Sequence, residues 1–245
     1  MKTIAVYNNK GGIAKTTTAV NFAYDLTCLG YQVLVVDMDP QGNASSFFRR
    51  YDLSKPSAKE LLTAPGAPAR CIKRTKYNGL DIIPSNINLR YLRPEELAGG
   101  VDALRRRGEI YGGRYDYCII DCPPSVDFLV EVIMAAADDV VIPIKPDCFS
   151  LDGLSTVQDV IQEFGGGRLS ARCLVTQFYR NKNSVGIISR LADEQAAIYD
   201  NVIRRDSAVD RSLTAHKPLA KCASKAKAAL DYMDFTKEYL GREAG

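Results

Sequence analysis

Residues 7–18 read YNNKGGIAKTTT and directly follow the apolar run Ile4-Ala5-Val6. A short strand, a tight glycine loop and then a helix place several backbone N–H groups around one point, at the positive end of the helix dipole. Phosphate is the natural occupant of such a point. In that geometry Lys15 reaches the outer phosphate oxygens, the Thr16 hydroxyl completes a magnesium shell and Thr17 donates to the innermost phosphate. Two features are irregular. The usual loop has one lysine where this one has Lys10 and Lys15, and Ala14 stands where a glycine is usual.

Working outward, β-branched apolar runs recur at TIAVYN, QVLVVDMD, LDIIPS, YDYCIIDCPP, DVVIPIKP, ARCLVTQFY and NVIRR, separated by helix-period stretches. Unbroken rather than alternating hydrophobicity marks strands buried on both faces. Their alternation with helices predicts an α/β fold with a doubly wound, mostly parallel sheet flanked by helices. Helices are expected over residues 16–29, 89–107, 126–137, 151–163, 185–195 and 224–240. Residues 1–245 are expected to form a single domain. Two strands end in acids, at Asp37 and Asp39 and at Asp121, on the sheet edge where open α/β folds bind ligands and where a magnesium nucleotide needs a carboxylate.

Bulk properties exclude other classes. The 245 residues are 46% hydrophobic and 25% charged, with a net charge of +3, too small to mark a nucleic-acid binder on its own. No run approaches the ~18 apolar residues of a membrane span, and the N-terminus shows no signal-peptide pattern. A cytoplasmic protein is expected. Seven scattered cysteines and a single histidine, His216, offer no zinc-ligand spacing.

KGGIAKTTT, VLVVDMDPQGN and YDYCIIDCPPS resemble the deviant Walker A, Walker A′ and Walker B motifs of ParA-type partition ATPases, in that family's order. The likeness continues through VIPIKPDCFSLDGL and IRRDSAVDRSLTAHKPL, nearly the whole chain. It implies a P-loop NTPase fold, ATP and magnesium as ligands, and a nucleotide site built from Lys10, Gly11, Gly12, Ile13, Ala14, Lys15, Thr16 and Thr17, with Arg205 beside the adenine. It also implies that Lys10 crosses a dimer interface to the partner's nucleotide, that Asp39 orients or activates the attacking water, that Asp37 supports the loop and magnesium, and that Asp121 holds magnesium through a water. A cation supplied in trans does what an arginine finger does elsewhere and makes hydrolysis conditional on dimerisation. Ala14 departs from the family's common KGGVGKT. If φ is positive there, alanine costs on the order of 1–3 kcal/mol, and ATP binding is expected to survive it.

The same superfamily contains iron–sulfur reductases, MinD-like membrane-positioning ATPases and ATP-dependent ligases. Cys118 and Cys122 lie on the Walker B strand rather than in cluster-binding loops, which argues against the first. The last helix carries Asp231, Asp234 and Glu238 on its outer face, unlike a basic membrane-binding helix. Just before it gather Arg204, Arg205, Arg211, Lys217, Lys221, Lys225 and Lys227, in the region ParA-type proteins use for nonspecific DNA. Ala208 replaces an arginine often found within that pattern. The clusters RCIKRTK near Arg70 and Arg105-Arg106-Arg107 read as exposed loop and helix-end charges. With the first core strand at the start of the sequence, no N-terminal helix-turn-helix domain is expected.

The resemblance therefore implies an ATP-bound homodimer on nonspecific double-stranded DNA, located in the cytoplasm at the nucleoid. Slow hydrolysis, stimulated by a ParB-like centromere-binding adaptor, would release it, with no membrane involved. A membrane-positioning ATPase and a metabolic ligase remain as alternatives.

Overall fold

The computed structural model describes residues 1–64, 68–111, 113–193 and 196–243. The apolar runs become β1 (Lys2–Val6), β2 (Val33–Asp37), β4 (Leu80–Ile83), β5 (Tyr117–Asp121), β6 (Asp139–Ile144) and β7 (Ser170–Val175), with a short β3 (Lys73–Arg74) between the second and fourth. They form one sheet in the order β3-β4-β2-β5-β1-β6-β7, parallel throughout except for the antiparallel β3–β4 pair. The unbroken hydrophobicity has its cause here, because each strand feeds two cores. Ile4, Val6, Val33, Val35 and Ile119 face one apolar layer, while Ala5, Leu34, Val36, Cys118 and Ile120 face the other.

The helices are α1 (Lys15–Cys28), α2 (Asn43–Phe47), α3 (Ala58–Thr63), α4 (Pro68–Cys71), α5 (Ala103–Tyr111), α6 (Phe128–Ala136), α7 (Cys148–Gly165), α8 (Lys182–Asp193), α9 (Ala208–Ala215), α10 (Leu219–Cys222) and α11 (Lys227–Glu243). On the first layer α1 packs against α11, where the Phe22 ring lies 5.0 Å from Phe235 and 5.2 Å from Tyr239. Ala228, Ala229, Tyr232, Phe235 and Tyr239 of α11 are all buried there, so the apolar face of the last helix is occupied by the core.

Three expectations are corrected. Residues 89–107 are not one helix. Short 3-10 turns at Ile87–Tyr91, Pro94–Glu96 and Gly100–Asp102 precede α5, because the residue before Pro94 is pushed out of the helical region and Gly99 and Gly100 adopt φ of 113° and 63°. NVIRR is not a strand. It makes a single bridge, Phe178 to Arg204, with a second, Cys173 to Ile198, just before it, while Glu238 captures the N–H groups of Asp200 and Asn201, and Asp231 that of Arg204. RCIKRTK is not simply loop, since Lys73 and Arg74 pair with Ile82 and Asp81 at the sheet edge. The helix expected over 185–195 spans Lys182–Asp193, and Gln195 lies outside the described residues. A capping box, Ser57 with Glu60, announces α3 in the sequence as S-x-x-E.

Candidate nucleotide site

β1 lies between β5 and β6, so the chain must cross β5 to reach β2, and this switch point opens a crevice at the carboxyl ends of the strands. The loop after β1 fills it. Gly12 and Ala14 are both left-handed, at φ 72°, and Ala14 (ψ 28°) is the residue from which α1 starts, its carbonyl accepting the Thr18 N–H at 2.8 Å. No side chain caps this helix and its first turn contains no acid, so its N–H groups are left for an anion. Neighbouring strands pin the loop. Asn8 donates to the Pro143 carbonyl at 2.9 Å and accepts the Lys10 N–H at 3.0 Å. Thr176 Oγ1 donates to the Ile13 carbonyl at 3.1 Å, and Gln177 Nε2 to that of Gly12 at 2.8 Å.

The two lysines diverge. Lys15 is buried, and its Nζ donates to the Lys10 carbonyl at 2.6 Å, held inside the loop where a phosphate would be enclosed. Burial lowers its pKa, against the opposing pull of Cys122, Asp121 and Asp39. The Lys10 side chain leaves the loop for α7. There its Cε and Nζ lie against Gly153, where a Cβ would have to displace the movable end of the lysine.

Strand register brings the acids together. Asp37 and Asp121 are direct neighbours across β2 and β5, and Val6 pairs with Asp121 on the other side. Asp37 is fully buried and committed: Oδ2 accepts the N–H and hydroxyl of Ser45 at 2.8 and 2.7 Å, and Oδ1 accepts the Asp39 N–H at 3.1 Å. It therefore holds the 39–45 turn through three accepted hydrogen bonds. Asp121 is the opposite case. Both its oxygens are buried with no donor within hydrogen-bond distance, although the Thr16 side chain lies close enough to favour its charged form. Burial, then the neighbouring Asp37, pushes its pKa well up. Burial also raises Asp39, opposed by the Gln41 N–H, which it accepts at 2.9 Å, and by Lys15. Two buried carboxylates, Asp121 and Asp39, act on one ammonium, and the oxygens of Asp121 have no side-chain neighbour to favour their charge beyond Thr16 and Lys15. This donor set fits a hard dication on oxygen ligands, with Asp121 and Thr16 as the residues that would hold magnesium.

Beside the loop opens a cleft of about 610 Å³, lined by Gly11, Gly12, Ala14, Lys15, Thr16 and Thr17, by Asp39, and by Arg205 on the far wall. Of the expected nucleotide residues, Lys10 and Ile13 are not in its walls. Sequence reasoning missed Thr176 and Gln177, whose signal is their place at the end of β7 on the ligand edge, and also Asn43, Ser207 and Tyr232 in the walls. Arg204, expected on DNA, also lines this cleft and is paired with Asp231 through Nε at 2.9 Å and Nη2 at 2.5 Å. Arg211, Lys221, Lys225 and Lys227 are exposed, with Arg211 Nη1 donating to Ser207 Oγ at 3.0 Å.

Comparison with known proteins agrees with this geometry. A family model described as an AAA domain matches residues 1–167. The chromosome partitioning protein ParA of Caulobacter vibrioides is 30% identical over 99% of this chain and 95% of its own length. The sporulation initiation inhibitor protein Soj of Bacillus subtilis is 33% identical over 97% of each chain. Among solved structures, cobyrinic acid a,c-diamide synthase of Mycobacterium smegmatis with an ATP analogue and magnesium superposes with a TM-score of 0.82 at 29% identity, covering 98% of this chain and 94% of the synthase. With a left-handed two-lysine loop over paired strand-end aspartates, and relatives matched end to end, the chain belongs to the ParA-type family of deviant Walker A P-loop ATPases.

Proposed function

We propose that this protein is a DNA-partition ATPase whose ATP-bound homodimer binds double-stranded DNA without sequence preference and leaves it after hydrolysis. The observation that carries this reading is the position of α9. Val209, Asp210 and Leu213 of α9 line the nucleotide cleft, and α9 packs on α10, next to which Lys221, Lys225 and Lys227 stand exposed. Occupancy of the cleft is thereby linked to a basic face. ATP phosphates lie on the α1 N-terminus and Lys15. Magnesium, when bound, neutralises charge on the reacting phosphoryl oxygens. Asp39 in the cleft wall orients the attacking water, and its raised pKa suits it to take up the proton. Lys10, outside its own cleft, is the residue that would serve the nucleotide of a second subunit. Hydrolysis is slow until a ParB-like adaptor arrives, and the cycle moves a plasmid, chromosome or mobile element.

The test is duplex binding by the pure protein with ATP, ADP or no nucleotide, across salt. Binding strengthened by ATP and weakened steeply by salt is expected. Equal binding in all three states overturns the reading. Turnover stimulated by a small acid, with no effect of DNA, would move the protein to the synthases.

A further inference from the structure

The outer edge of the sheet gathers positive charge from three separate parts of the chain. On one side of the β3–β4 hairpin is a cleft of about 400 Å³ that joins Arg49, Arg50 and Lys55 from the segment after α2 to Lys73 and Arg74 of β3. Arg50 Nε donates to the Arg74 carbonyl at 2.9 Å and fastens the two segments. On the other side is an open groove of about 660 Å³, where Lys76 of the hairpin meets Lys217 and Lys221. Lys76 Nζ lies 3.5 Å from the His216 carbonyl and 5.2 Å above the Tyr77 ring, which stacks edge-on against Tyr24 of α1 at 5.1 Å. Phe48, beside Arg49, meets the Tyr77 ring edge-on at 6.3 Å and joins the segments that line the two hollows. Among the described residues Asp52 is the only carboxylate in either lining, and Lys55 pairs with it at 3.0 Å.

Lysine and arginine on an edge strand guard against edge-to-edge pairing, and this accounts for Lys73 and Arg74. It does not account for Arg49, Arg50, Lys217 and Lys221, which come from residues 24 to 148 positions away to the same two hollows. We infer that the β3–β4 hairpin and the turn before α10 form one continuous surface for the phosphate backbone of duplex DNA. Both hollows take basic residues from the 73–78 hairpin, and a backbone with a charge every ~1.7 Å offers phosphates to each. The surface continues the exposed lysines Lys221, Lys225 and Lys227 and extends the DNA face to the sheet edge. This rests on the DNA reading above.

The experiment measures affinity of the ATP-magnesium form for a duplex of arbitrary sequence between about 50 and 200 mM salt. The double variant Arg74→Ala with Lys76→Ala is expected to lower the slope of log affinity against log salt by about 2 per engaged protomer, and to weaken binding at least about tenfold, with nucleotide affinity unchanged. Arg74→Lys with Lys76→Arg is expected to retain binding. Wild-type DNA binding that is intact and equal in slope and strength in the alanine double variant overturns the hairpin surface and leaves the partition reading standing. No wild-type DNA binding in any nucleotide state overturns both. Capture of anionic vesicles, lost in the same variant, reassigns the surface to a membrane and overturns this inference.

Discussion

Ala14 gives the sharpest local test of the loop. It lies at φ 72°, ψ 28°, in the left-handed region, where an L-residue is disfavoured by roughly 1–2 kcal/mol. Glycine removes that strain, but it releases more chain entropy on unfolding, roughly 0.5–1 kcal/mol. Ala14→Gly is therefore expected to raise stability by about 0.5–1 kcal/mol. In a chain of this size that amounts to about 1–4 °C in Tm. Ala14→Val adds a β-branch where φ is positive and is expected to cost several times more. Because Ala14 contributes only backbone to the cleft, ATP affinity of the glycine variant should stay within about threefold, a change below 1 kcal/mol. Thermal unfolding and nucleotide titration of the three proteins decide the matter. A glycine variant less stable than wild type by 1 kcal/mol or more refutes the strain argument, and binding only by the glycine form shows that alanine disables the site.

Asp25 is buried on α1 and burial alone raises its pKa from 3.8 to about 8. The unfolded carboxyl loses its proton above about pH 4 while the folded one keeps it, so stability should fall as pH rises from about 4 to 8, by on the order of 2–4 kcal/mol at pH 7. Asp25→Asn should abolish that slope in urea titrations at several pH values; parallel curves would show the slope comes from elsewhere. Removing the orphaned carboxylate in Asp121→Ala should eliminate the magnesium dependence of ATP affinity, and a retained dependence would place the metal on other ligands. Asp39→Ala should bind ATP yet hydrolyse it at least about a hundredfold more slowly; near-normal turnover would remove Asp39 from catalysis. Lys10→Ala should leave monomer binding of ATP intact while ATP no longer drives dimer formation in light scattering; a normal dimer would sink the role in trans.

Much of the site is legible in the sequence because it is contiguous. The strand, glycine turn and helix of residues 2–28 are neighbours along the chain, and Asp37 and Asp121 announce themselves as acids ending buried strands. Less legible is which acid does what. Asp37 and Asp121 share a register position and full burial, yet one accepts three hydrogen bonds and the other none, a difference made by Ser45 on the next short helix. The expected helix over 89–107 failed because local breakers, Pro94 and Gly99-Gly100, outweighed a helical apolar period.

By itself the sequence determined the phosphate loop, the doubly wound parallel architecture and the strand-end carboxylates, because backbone conformation, burial period and helix starts are properties of adjacent residues. Tertiary structure decided where the charges go. It clamped Arg204 to Asp231, brought Gln177 onto Gly12 across 165 positions and Lys76 onto the His216 carbonyl across 140, and turned scattered surface cations into a shared face. Those pairings depend on which strands lie side by side, and no local pattern encodes that distance.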